Sequence, residues 1–226
     1  MTQPEYNAIE GYMLSQMRDS AHDRHHVYRV LNSALDIADY IGEIDADVLI
    51  AACLLHDIGR ERQFADPKLC HAQIGGEMAY EFLLSREWEE QKASHVRDCI
   101  STHRYRGDNP LRSAEAKILF DADKLEASGA MGIARTLIYK GQVAEPLYIL
   151  DENGHIIVDG KSSETNSFFQ EYNYKLKNVY GSFYTERGKA IAAKRQKTAE
   201  DFYHGLFFEI AGNYENGTKT LKKYLT

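Results

Sequence analysis

The sequence predicts an all-α fold, and three observations carry that expectation. Apolar residues recur at i, i+3 and i+4 through most of the chain. Only four prolines, Pro4, Pro67, Pro110 and Pro146, punctuate the 226 residues. The segments between the prolines carry their apolar residues at helical rather than alternating spacing. From Arg24 to Ile41, the positions Val27, Val30, Leu31, Ala34, Ile37, Ala38 and Ile41 form the stripe of an amphipathic helix that Gly42 stops. Asp45 or Asp47 then caps a second helix, VLIAACLLHDIG, which is apolar on every side until His56-Asp57 and ends at Gly59. A helix without a polar face belongs at the centre of a fold.

Further helices are expected at about 71–84, 89–106, 112–126, 127–140, 166–180 and 186–211, with a short one near the C-terminus. The exception is PLYILDENGHIIVDG, where two apolar runs flank Asn153-Gly154, so a small β-hairpin is expected near 147–158. No repeat or low-complexity linker divides the chain. We expect a single domain over 1–226, with a core at about 20–140 and a helical C-terminal extension at about 165–226.

With 43% hydrophobic and 27% charged residues the chain can bury a sizeable core, which excludes a disordered or collagen-like protein. Nothing approaches the ~20 consecutive apolar residues of a membrane helix, and the N-terminal stretch has no signal-peptide pattern, so a cytoplasmic protein is expected. The net charge of −7 and the lack of a basic block argue against a nucleic-acid or anionic-membrane partner and for a small or metal-held substrate. Cys53, Cys70 and Cys99 lie singly in apolar segments and read as reduced core residues.

Of the nine histidines, four lie on apolar helix faces near carboxylates. His26 precedes Val30 by one turn, and His56-Asp57 ends the central helix. His71 leads the series Ile74, Met78, Phe82, and His103 follows Val96, Cys99 and Ile100. Asp123 falls four residues after Leu119 on another apolar stripe. Several buried carboxylates beside inward imidazoles need a cationic partner, and His and Asp are the ligands that hold Mn, Fe, Ni, Co or Zn. His26, His56, Asp57, His71, His103 and Asp123 suffice for one or two ions. The competing reading for each isolated histidine is a hydrogen-bonded core residue. An Asp at a helix C-terminus opposes the helix dipole, which favours the metal reading for the central pair. His22, His25, His155 and His204 have no comparable context and read as surface residues.

The segments DRHHVYRV, LLHDIG and FDADKLEA together resemble the HD-domain metal-dependent phosphohydrolases, whose pattern is a His, then His-Asp, then a distant Asp. CHAQIGGEMA and STHR resemble the variant with two more histidines. The likeness runs on through GAMGIART, NSFFQEYNYKL and TERGKAIAAKRQKTAEDF, so it covers nearly the whole chain. It implies that His26, His56, Asp57 and Asp123 are the core ligands and that His71 and His103 complete a second site. The Gly-Tyr-Pro signature of the cyclic-dinucleotide-degrading branch is missing after His-Asp, so cyclic di-GMP is not the expected substrate.

The resemblance implies hydrolysis of a small phosphorylated metabolite, foremost a nucleotide, as a pyrophosphohydrolase or phosphomonoesterase. Asp57, with Asp123 in support, would act as general base or orient a hydroxide. Lys124 is a candidate catalytic and phosphate-binding cation, with Arg60, Arg104 and Arg106 as further phosphate clamps. Asp121 reads either as a partner that orients a ligand histidine or as a turn residue, and Asp23 as a helix cap or such a partner. The aromatic run from Phe168 to Tyr184 reads as core before base-stacking platform. Two other functions compete: a di-iron oxygenase with six His/Asp ligands, and a nucleotide sensor without catalysis.

Overall fold

The computed structural model describes residues 1–17, 24–104, 110–160 and 166–225, which pack as two compact units. His22, Asp23 and Arg106 lie outside the described residues. The fold is all-α, with no strand among the described residues, and no described helix is long and apolar enough to cross a membrane.

The first unit comprises Met1–Glu126 and Phe183–Lys189. It begins with α1 (Gln3–Gln16), a helix for which the apolar spacing gave no expectation. Its start is set by a capping box, with the Thr2 and Glu5 side chains each bonding the other's backbone N–H and Pro4 in the first turn. Ile9 and Met13 are its buried residues. α2 (Arg24–Ala38) stops short of the expected Ile41 but buries the predicted stripe. In α3 (Ala46–Leu55) the Asp45 carboxylate accepts from the Asp47 and Val48 amides, fixing Asp45 as the cap. α3 contacts α1, α2, α5, α6 and α7, the central place its all-round apolar sequence requires.

A short α4 (Arg60–Ala65), also not expected, leads to α5 (His71–Ser85), α6 (Glu90–Thr102) and α7 (Ala114–Leu125). One close approach positions the site. A Cβ on Gly59 would stand 2.3 Å from the His71 carbonyl oxygen and 2.7 Å from the Gly75 nitrogen. Only glycine lets the chain leaving His56-Asp57 cross the start of α5 at that distance, bringing Asp57 beside His71. Cys53 and Cys99 are buried and reduced, as expected, but Cys70 is partly exposed at the N-cap of α5, so it is not a core residue.

The second unit comprises Ala127–Ser182 and Ala190–Thr226 and contains α8 (Gly129–Gln142), α9 (Phe168–Tyr174), a 3₁₀ helix (Leu176–Gly181) and most of α10 (Glu186–Tyr224). Its core is Ile133, Phe168, Phe169, Tyr172, Leu176, Ala199 and Tyr203, with the Tyr172 and Tyr203 rings stacked 4.3 Å apart. These aromatics are core, as expected. The helix expected at 166–180 breaks at Lys175, where Asn178 turns back to donate to the Tyr174 carbonyl, giving a 3₁₀ continuation. The separate C-terminal helix is not formed. α10 runs unbroken to Tyr224, because Gly205, Gly212 and Gly217 each cost only about 1 kcal/mol and no proline interrupts them.

The hairpin is present in minimal form. Leu150 and Ile156 make an isolated antiparallel bridge, the Asp151 N–H donates to the His155 carbonyl, and Gly154 takes φ +82°. Its turn packs on α10: a Cβ on Gly154 would meet the Tyr214 ring at 2.2 Å.

Lys140 is 2% exposed, with its ammonium 2.7 Å from Glu145, 2.9 Å from Glu171 and 2.6 Å from the Asn166 carbonyl. Lys140→Ala leaves the buried Glu171 with the exposed Lys175 but without its buried partner, beside a cavity, and is expected to destabilise the protein by about 2 to 3 kcal/mol in denaturant unfolding. Burial alone would raise the Glu171 carboxyl, but the ammonium groups of Lys175 and Lys140 outweigh it and hold it below its ordinary value of 4.5. Its stabilising contribution is therefore complete above pH 4.5 and lost as pH falls through the lower folded value. Glu171→Gln is expected to flatten that acid limb of the melting profile.

Candidate metal centre

Five helices of the first unit deliver six side chains to one place. His26 comes from the first turn of α2, His56 and Asp57 from the end of α3, His71 from the start of α5, His103 from the C-cap of α6 and Asp123 from the last turn of α7. They form two groups of mutually close ligand atoms, His26, His56, Asp123 and Asp57, His71, His103.

Asp57 faces both groups. Its Oδ2 is 3.6 Å from the Nε2 atoms of His26 and His56, and its Oδ1 is 3.4 Å from His71 Nε2 and 3.8 Å from His103 Nε2. Asp123 Oδ1 lies 3.5 Å from His26 Nε2 and 4.0 Å from His56 Nε2. Ligands ~2.1 Å from one ion stand ~3.0 Å apart at octahedral and ~3.4 Å apart at tetrahedral angles, so these separations suit a cation with slight contraction. Five of the side chains are 0–1% exposed and Asp123 is 26% exposed, so the centre reaches solvent at Asp123.

The imidazole tautomers are set from behind. His56 Nδ1 is 2.8 Å from the Cys53 carbonyl and His103 Nδ1 is 2.6 Å from the Ile100 carbonyl. A carbonyl can only accept, so each Nδ1 carries the proton and each Nε2 presents a lone pair inward. His71 Nδ1 is 2.6 Å from Gln63 Oε1, and His26 Nδ1 is 3.2 Å from Glu126 Oε2. Glu126 also accepts from Arg29 through Nε at 2.9 Å and Nη2 at 2.7 Å. Neither Gln63 nor Glu126 was singled out from the sequence.

Asp57 Oδ2, His71 Nε2 and His103 Nε2 are buried with no hydrogen-bond partner, and His26 Nε2 and His56 Nε2 face each other at 3.3 Å. Buried lone pairs do not converge in this way unless a proton or a cation lies between them. Burial opposes charge on His26, but Asp57, Glu126 and Asp123 outweigh it and raise the imidazole to about 9. His71 is pushed down to about 2 by burial and the nearby Arg60, and His103 to about 4 by burial and His56, so both stay neutral. Burial would raise Asp57, yet the neighbouring imidazoles and Arg60 hold it ionised, well below its ordinary value. Neutral His71 and His103 beside an ionised Asp57 are in the state that binds a divalent cation, whereas His26 would give up its proton when a cation took its place between the carboxylates.

The HD-domain family model matches residues 24–128, the segment that holds all six of these side chains. Residues 24–128 are an HD domain. The His-Asp pair that ends its central helix is His56-Asp57. The chain is 29% identical over 201 residues to YpgQ of Bacillus subtilis, covering 85% of this chain and 86% of YpgQ. The crystal structure of YpgQ in complex with ADP superposes with a TM-score of 0.70 at 24% identity, over 92% of this chain and 98% of that one. A predicted HD-superfamily hydrolase from an uncultured Thermotogales bacterium superposes with a TM-score of 0.61 at 26% identity, over 92% of each chain. The chain thus has the fold of HD-superfamily hydrolases.

The other residues singled out in the sequence have the following contacts. Arg60 Nε donates to Asp57 Oδ1 at 3.0 Å, and Arg104 Nη1 is 3.4 Å from His71 Nδ1. Lys124 has its ammonium 5.2 Å from the Phe120 ring centroid. Asp121 accepts from the Tyr184 and Thr185 amides and the Thr185 hydroxyl, which corrects both readings of it: it is neither a turn residue nor bonded to a ligand histidine in these contacts. His25, His155 and His204 are exposed, as expected. His95, which drew no reading, pairs with Glu115 at 3.2 Å.

Proposed function

We propose that the chain is a metal-dependent phosphohydrolase of a small phosphorylated metabolite, foremost a nucleotide, with phosphoanhydride or phosphomonoester cleavage as its reaction. The observation that carries this reading is the inward convergence of four imidazole Nε2 atoms on the two oxygens of Asp57. His26, His56, Asp123 and one oxygen of Asp57 would hold one cation, and His71, His103 and the other oxygen a second, with Mn, Fe, Ni, Co or Zn the ions that such ligands suit. Divalent cations supply Lewis acidity to phosphoryl oxygens and bring the pKa of water toward neutrality.

The chain's own residues supply the rest. Asp57 bridges the two groups, which occupies both its oxygens, so the more exposed Asp123 is the better placed of the two carboxylates to meet a proton from solvent-borne water. Arg60, bonded to Asp57, and Arg104, beside His71, would offer their other guanidinium N–H groups to phosphate oxygens, and Lys124 a third cation from α7. The ADP complex of YpgQ supports a nucleotide as the substrate class.

The test is phosphate and pyrophosphate release from a panel of nucleoside mono-, di- and triphosphates with each divalent metal in turn. Release is expected that depends on added metal and stops with chelator. Oxygen-dependent turnover by the iron-loaded protein without phosphate release would overturn the reading in favour of an oxygenase. Binding of nucleotides without turnover under any metal would overturn it in favour of a sensor.

A further inference from the structure

The four inward histidines do not share one kind of support. His56 and His103 donate to backbone carbonyls three residues earlier, acceptors that no substitution removes. His71 depends on a side chain, and two side chains contest it. Gln63 Oε1 lies 2.6 Å from His71 Nδ1, whereas Arg104 Nη1 approaches the same nitrogen at 3.4 Å.

These two contacts demand opposite tautomers. An amide oxygen accepts, which keeps the proton on Nδ1 and leaves Nε2 with its lone pair toward Asp57. A guanidinium only donates, so a hydrogen bond from Arg104 needs the lone pair on Nδ1 and moves the proton to Nε2, where it blocks a cation. The amide of Gln63 is itself oriented: its Nε2 donates to the Leu69 carbonyl at 2.9 Å, so the oxygen and not the nitrogen faces His71. His71 Nε2 is meanwhile buried with no partner, the state expected of a lone pair kept for a ligand.

We propose that Gln63 is a positioning residue that holds His71 in the Nδ1-protonated tautomer against the pull of Arg104, and so sets the affinity of the cation held by Asp57, His71 and His103. The inference deepens the two-ion reading above and rests on it for its metal readout. Its tautomer readout needs no metal.

Two variants separate positioning from packing. Gln63→Leu keeps the bulk and removes the acceptor; Gln63→Glu keeps an acceptor oxygen. In metal-free protein, long-range proton–nitrogen correlation of the histidine rings is expected to show His71 protonated at Nδ1 in the wild type and in Gln63→Glu, and at Nε2 in Gln63→Leu. Chelator competition with Mn²⁺ is expected to show a roughly 10- to 100-fold loss of affinity for one ion per chain in Gln63→Leu, the other unchanged, with both retained in Gln63→Glu. An Nδ1-protonated His71 in Gln63→Leu, or equal losses in the two variants, would overturn the proposal. A wild type that binds only one Mn²⁺ would overturn the two-ion reading instead, and the tautomer comparison would still decide what Gln63 does.

Discussion

Asp57→Ala is expected to remove both cations at once and with them all measurable turnover, whereas His71→Ala or His103→Ala lowers the metal content from about two ions to about one. The difference follows from the placing of the two Asp57 oxygens, Oδ2 toward His26 and His56 and Oδ1 toward His71 and His103. A ligand that serves one group can be lost without the other; a carboxylate shared by both cannot. Elemental analysis and calorimetry on the same samples check this. Asp57→Ala removes a buried charge that Arg60 pairs with, so some loss of stability accompanies it, but the variant should still melt cooperatively. Two ions retained in a folded Asp57→Ala protein would show that Asp57 is not a ligand. Retention of the wild-type metal count by His71→Ala, together with a lowered melting temperature, would assign that histidine to the core.

The six side chains of this centre could be read from the sequence because each obeys a local rule. His26, His71 and His103 fall in phase with the apolar stripes of their own helices, Asp123 stands one turn beyond Leu119, and His56-Asp57 ends the most buried helix. Phase within a helix tells which side chains point inward, and five inward-pointing elements meet at the same core. The outer partners obey no such rule. Gln63 lies in a six-residue helix too short to show a periodicity, and its value comes from an eight-residue return of the chain to His71. Glu126 left a faint trace, one turn after Asp123 and so on the same face of α7, but its partner His26 is 100 residues away.

The errors of element length have the same origin. Ending a helix near 211, and taking 166–180 as one helix, weighs propensity alone, whereas the aromatic core holding α9 to α10 and the turn made by Asn178 decide where those helices run. α1 escaped notice because it buries only Ile9 and Met13, too few positions to make a stripe.

Asp121 is the residue whose role the sequence concealed most completely, and its replacement should give the largest loss of stability. Its carboxylate is fully buried and accepts three hydrogen bonds across 63 or 64 residues of chain, from the Tyr184 amide at 2.9 Å, the Thr185 amide at 2.7 Å and the Thr185 hydroxyl at 2.6 Å. The Thr185 hydroxyl in turn accepts from the Gly188 amide at 3.0 Å, the N-cap bond of α10. Asp121 fixes the hydroxyl proton toward itself, so the oxygen lone pair faces Gly188. The packing leaves no slack, since a Cβ on Gly188 would stand 2.5 Å from Asp121 Oδ2. Asp121→Ala leaves the buried Thr185 amide and the half-buried Tyr184 amide without their acceptor and loosens the cap, a loss of about 3 to 4 kcal/mol from hydrogen bonds to a charged group and from the cap together. At roughly 2 to 4 °C per kcal/mol for a chain of this size, the melting temperature should fall by roughly 6 to 16 °C. Asp121→Asn keeps one acceptor oxygen but turns an amide N–H toward donors, so it should recover only part of the loss. Metal content measured well below the melting temperature should equal that of the wild type in both variants, because Asp121 bonds the start of α10 and not a ligand. Loss of a cation without loss of stability would reverse that assignment and make Asp121 a support of the metal centre.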